Sequence, residues 1–160
     1  MDGDRTPVPF LATEANERGG VFSPNGRWLA YVSDESGRDE VYVLPYPGPG
    51  RKHTISTNGG SEPAWAPTGR ELFFRHEDEV LVVGVDTAGT LQPAAPVPLF
   101  AGAYVPDNSG GGRSVANYDV APHGQRFLML KAEGESGSRT RRIHVVDNWF
   151  EELKTRVPIP

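Results

Sequence analysis

The sequence predicts an all-β fold of β-propeller blades, three blades per chain, each a sheet of four antiparallel strands. Three observations lead there. A short phrase recurs as Phe22-Ser23-Pro24-Asn25-Gly26-Arg27, Trp65-Ala66-Pro67-Thr68-Gly69-Arg70 and Val120-Ala121-Pro122-His123-Gly124-Gln125-Arg126. Its prolines lie 43 and 55 residues apart, a spacing that belongs to blade repeats. Strand-like runs such as Trp28-Leu29-Ala30-Tyr31-Val32 flank each copy, and 19 Gly and 15 Pro in 160 residues supply the turns between short strands. Within the phrase, Pro holds φ near a turn value and Gly accepts positive φ, so the chain reverses tightly there.

The elements follow in order. The first unit, 14–57, reads as strands at about 19–23, 28–33, 40–44 and 52–57. A turn at 34–37 and the Pro-Gly loop 45–50 separate the later ones. The second unit, 58–100, repeats this with strands at about 61–66, 71–75, 79–85 and 97–100. The third unit, 101–147, has strands at about 115–120, 127–131 and 142–146 and lacks a fourth. Asn148 opens a short helix over 148–156, since Asn is a favoured helix cap. The segment 8–13 precedes the first unit where a fourth strand belongs, and Val97-Pro98-Leu99-Phe100 resembles its Val8-Pro9-Phe10-Leu11.

Ring geometry then sets an expectation. Propellers have about four to eight blades, so three cannot close a ring. An open arc leaves an apolar face at each end, and large apolar patches drive association. The chain is expected to be one half-propeller domain, 1–160, that completes a six-bladed ring as a homodimer. Segment 8–13 of each copy would complete the partner's third blade, a two-fold domain swap.

Composition narrows the function classes. Net charge is −5 with no long basic run, which argues against a nucleic-acid surface. No Cys is present, so neither disulfides nor thiolate chemistry operate. No apolar run approaches the roughly 20 residues of a membrane span, and Met1-Asp2-Gly3-Asp4 opens no signal peptide. A soluble, cytoplasmic protein is expected, with no nucleic acid and no membrane among its partners.

The stretches FSPNGRWLAYVSDESGRDEVYVLPYPGPG, GGSEPAWAPTGRELFFR and YDVAPHGQRFLML resemble the TolB-like, WD-type propeller repeats of bacteria. More narrowly, they and the ending NWFEELK are similar to the C-terminal propellers fused to bacterial serine/threonine kinases. The resemblance covers residues 8–156. It implies the fold and a non-catalytic role in capturing a ligand or protein. The chain departs from that family in holding half a ring with no kinase domain before it, as a terminal fragment of a longer ancestor would.

No catalytic motif is present: G-x-S-x-G, H-E-x-x-H and Walker loops are all missing. Candidate residues come from the face shared by the hairpins between the second and third strands of each unit and by the starts of the first strands, which line the channel in a propeller. Glu17, Arg18, Glu62 and Asn117 are expected around the channel mouth there. Tyr104 and Arg113 lie in the longer connection 101–114 on the same face, and long loops on one propeller face carry binding. The expected function is a binding module that captures a small molecule or protein at this mouth. The alternative is a metal-dependent hydrolase of esters, lactones or phosphotriesters, in which His76, Glu62 and Asp119 hold a divalent ion, zinc or calcium, that activates water.

Overall fold

The computed structural model describes residues 6–86, 90–106, 116–133 and 140–147. Twelve strands form three antiparallel sheets and no described residue is helical. The first sheet runs β1 (Arg18–Phe22), β2 (Trp28–Ser33), β3 (Glu40–Pro45) and β4 (His53–Thr54) in sequence order. The second contains β5 (Ser61–Trp65), β6 (Glu71–His76), β7 (Glu79–Asp86), β8 (Gln92–Pro93) and β9 (Val97–Ala101). The third has β10 (Tyr118–Val120), β11 (Arg126–Glu133) and β12 (Thr140–Asp147). The expected helix 148–156 lies outside the described residues.

The recurring phrase makes the same turn three times. Gly26 N donates to Ser23 O at 2.8 Å, Gly69 N to Ala66 O at 2.8 Å and Gly124 N to Ala121 O at 2.7 Å. The three glycines have φ of 67°, 68° and 68°, the left-handed region where only Gly avoids a Cβ clash. Asn25 Oδ1 and Thr68 Oγ1 then accept from the backbone N–H of Arg27 and Arg70, at 3.0 and 3.2 Å. The polar residue of the phrase thus closes the turn from within.

Two structural differences stand out against the expected strands. The outer strand of the first sheet is two residues long, because only Tyr42 and Val43 pair with it. In the second sheet β7 is long enough for two partners: β9 pairs its first half and β8 its end. Residues 6–13 form no strand; Phe10 instead lies edge-on to Tyr46, with ring centroids 5.1 Å apart.

Packing explains why the three sheets stand together. Side chains alternate across each strand, so the middle sheet offers two apolar faces. Leu72, Phe74, Val83 and Val85 meet Trp28, Ala30, Val32 and Val43 of the first sheet. Phe73, Val80 and Val82 meet Tyr118, Phe127 and Met129 of the third. Phe73 and Phe127 cross edge to face at 4.9 Å. Trp65 seals the first junction and donates through Nε1 to Val21 O at 3.3 Å.

The arc has two unlike ends. Leu128, Ile143 and Val145, on the outward face of the third sheet, are 43%, 66% and 56% exposed. On the outward face of the first sheet Tyr31 and Tyr42 are buried. The Lys52 ammonium stands 4.8 Å over the Tyr42 ring and pairs with Glu35. Phe22, one repeat before Trp65, is 55% exposed, and its ring lies edge-on to Tyr46 with centroids 4.8 Å apart.

Two substitutions separate strain from packing. Gly26→Ala meets no atom within 4 Å, so its cost is conformational, and urea unfolding should show a loss of about 1 kcal/mol. Phe73→Ala, at a fully buried site, should lose about 3–5 kcal/mol in the same measurement.

Candidate functional site

The face predicted to carry function is built by the hairpin joining β2 to β3, the hairpin joining β6 to β7, and the chain entering β1, β5 and β10. Asn16 N donates to Asp34 Oδ1 at 2.8 Å, and Arg18 pairs with Asp39. Gly60 N donates to Asp39 O at 2.9 Å. The entries to β1 and β5 are thereby tied to the hairpin of the first sheet.

Between the two hairpins lies an open groove of about 340 Å³, lined by Arg38, Asp39, Asn58, Gly59, Gly60, Ser61, Arg75, His76 and Glu77. Its walls are polar. Arg38 is held by Glu40 at 3.2 Å and reaches Asn58 Oδ1 at 3.5 Å. Glu40 is buried and fixed from three sides, by Arg38, by Ser56 Oγ and by Gly59 N at 2.9 Å. This anchor holds the floor of the groove in place. Gly59, at φ 104°, brings the backbone close to the His76 ring: a Cβ there would sit 3.1 Å from Nδ1.

Beneath the face lies a buried ion pair. Glu62 and Arg75 are each 2% exposed, with Arg75 Nη1 3.4 Å from Glu62 Oε1. The guanidinium also donates to Val105 O at 3.1 Å, Glu77 O at 3.1 Å and Tyr104 O at 3.3 Å. Glu62 Oε2 accepts from Asn117 N at 2.8 Å, and Glu62 O accepts from the Tyr118 hydroxyl at 2.8 Å. One charge pair therefore ties β5, β6, the connection after β9 and the start of β10 together. Glu62 keeps φ at 52° to do so; Gly19, one repeat earlier, has φ 64° at the matching bulge.

Burial, with the nearby Glu62 carboxylate adding to it, pushes the Tyr118 hydroxyl well above its ordinary value, and Arg75 opposes the shift. Burial also raises Tyr31, with Glu35, Glu17 and Tyr42 contributing.

The candidate residues divide on this geometry. Arg18 and His76 stand at the groove or beside it. Glu17 accepts from the Thr13 hydroxyl at the edge of the first sheet. Glu62, expected on the rim, is buried under it, and Asn117 is spent on Glu62 and on Pro106 O at 3.0 Å. Tyr104 packs edge-on to Phe100 at 6.0 Å, and its backbone bridges to Lys131. Asp119 is exposed and accepts from Val120 N at 2.8 Å. Arg113 lies outside the described residues. His76, Glu62 and Asp119 are not gathered: among the described residues no three His, Asp or Glu side chains stand together as a metal site.

The sequence reading missed Arg75, Arg38, Asn58 and Gly59. A signal existed for Arg75, which stands where the first repeat has the buried Val32. A charge at an apolar repeat position needs a buried counterion.

No family model matches the chain, and no curated protein does. Solved structures do. An oligogalacturonate lyase from Vibrio parahaemolyticus is similar at 13% identity and TM-score 0.60, over 86% of this chain and 40% of its own. A protein described as TolB from Agrobacterium tumefaciens is similar at 14% identity and TM-score 0.54, over 86% of this chain and 47% of its own. The chain spans less than half the length of either. At these identities the likeness establishes fold alone: antiparallel sheets of an all-β chain, as in β-propeller proteins.

Two measurements check the buried network. Arg75→Met strands the Glu62 carboxylate and should cost about 3–5 kcal/mol in urea unfolding, with much of it restored in the double variant Glu62→Gln/Arg75→Met. The folded-state pKa of Tyr118 lies above its unfolded value near 10, so its contribution is complete below about pH 10 and is lost as pH rises beyond. Stability should fall above about pH 10, and less steeply in Tyr118→Phe.

Proposed function

We propose that the chain is a half-propeller of three blades, units 14–57, 58–100 and 101–147, and that it works as a binding module. The groove between the first two hairpins captures a polar small molecule or a polar protein loop. The observation that carries this reading is the groove itself. It is an open concavity of about 340 Å³ whose walls mix cationic, anionic and amide groups and whose floor is fixed by the buried Glu40. Preorganised polar groups in a concavity confer orientation and specificity.

Three further points support it. The groove lies on the face where the sequence places the channel mouth. The first two blades are tied beside it by Glu40, which accepts from Gly59 N, and by Asp39 O, which accepts from Gly60 N, so the hairpins present their side chains at a fixed spacing. The similar solved structures include a protein described as TolB, and the repeat phrases resemble TolB-like propellers and those fused to bacterial kinases. Binding residues concentrate on loops that a rigid scaffold positions.

A thermal-shift screen of polar metabolites and short charged peptides tests the reading. Ligands of the groove should lose about tenfold or more in affinity in both Arg38→Ala and His76→Ala, measured by calorimetry. Affinity unchanged in both variants would place binding elsewhere.

A further inference from the structure

The two ends of the arc point to a single occupant. In the first sheet, Ala30, Val32 and Val43 are fully buried because the second sheet follows them. The third sheet carries Leu128, Leu130 and Val145 at the matching places: Ala30 and Leu128 each lie six residues after the repeat proline, and Val145 stands opposite Leu128 as Val43 stands opposite Ala30. Leu128 and Val145 are exposed, since no described residue covers them. The other end shows the complementary deficit. Trp65 is buried because the first sheet precedes it, whereas Phe22, its counterpart 43 residues earlier, is exposed. One end lacks the neighbour that the other end could be.

We infer that a second copy of this chain covers the third sheet, with its first sheet packed on Leu128, Ile143 and Val145 and its residues 6–13 laid along β12. This goes beyond the ligand-binding reading and does not depend on it. The blade-to-blade contact already exists twice within the chain, and the docking repeats it. The chain matches 40% and 47% of the length of the two propeller structures, so two copies supply about one ring.

The open edge selects the same partner. β12 is eight residues long and, among the described residues, pairs with β11 alone. Residues 6–13 belong to no strand, and Val8 is 83% exposed. The repeat assigns their register. His53 pairs with Val43 in the first sheet. Phe10 lies 43 residues before His53, and Val145 replaces Val43, so Phe10 falls opposite the partner's Val145. Thr13 then takes the place of Ser56, whose hydroxyl accepts from Val41 N at 2.8 Å. Its donor in the docked pair is the N–H of Ile143 of the partner subunit. Backbone pairing supplies affinity in strand addition, and side-chain matching supplies register.

The absence of Cys makes a direct test clean. Cα atoms of paired residues in an antiparallel ladder lie about 4.5–5.5 Å apart, within the range a disulfide spans. Phe10→Cys/Val145→Cys, oxidised, should run as a covalent dimer on a non-reducing gel, while neither single variant does so to the same extent. Light scattering of the unmodified chain should give twice 17.4 kDa, with dissociation on dilution. Ile143→Glu and Phe22→Glu should each weaken the dimer about tenfold or more. An equimolar mixture of the two should recover part of it, because one of the two contacts is then intact. Near-UV circular dichroism of each variant confirms that the fold persists. A unmodified chain that stays monomeric at high concentration would overturn the inference. So would a dimer indifferent to both substitutions, or a double-cysteine variant that cross-links only within one chain.

Discussion

Every sheet of this chain has two apolar faces, and each face needs a neighbouring sheet to remove it from water. That constraint governs the rest of the structure. The middle sheet satisfies it on both sides, with Leu72 and Phe74 turned one way and Phe73 and Val82 the other. Burial of such side chains contributes about 1.5–3 kcal/mol each, far more than any exposed ion pair on the surface. The outer sheets satisfy it on one side only. Tyr31 and Tyr42 are shielded by a Lys52–Glu35 pair, while Ile143 and Val145 are left in the open.

Polar groups play a second role within that scheme: they fix how the sheets are clamped at the face that carries the groove. Glu40 holds the connection between the first and second sheets through Ser56 and Gly59. The Glu62–Arg75 pair holds the connection between the second and third through Asn117, Tyr104 and Val105. Each is a buried carboxylate near the start of a blade junction, and each is satisfied by several donors. A buried charge so placed is tolerable because its partners are all present. The result is a rigid polar groove on one face and an apolar core below it.

This division explains why the binding candidates separated as they did. Residues at strand starts were expected to ring an opening, yet Glu62 and Asn117 are drawn inward by their hydrogen bonds. Groups on the hairpins, Arg38, Asp39 and His76, stay outside because a two-stranded turn carries them past the end of the core. A residue's distance from the last covered strand pair decides whether it builds the junction or lines the groove.

The residues by themselves determined the turns and the blades. Pro-x-Gly repeated at 43 and 55 residues dictates three turns of one kind, because φ near 68° at Gly69 and its counterparts is open to little but glycine. Short apolar runs bounded by turns, such as 28–32 and 79–85, dictate strands, and the two-residue period of a strand sets which side chains share a face. Only the tertiary structure decided which faces were covered, that Phe22 would be exposed where Trp65 is buried, and that Glu62 would turn inward to Arg75. Those outcomes depend on contacts between residues 13 to 56 positions apart, and a local pattern carries no information about which distant group will arrive to satisfy a charge or hide a ring.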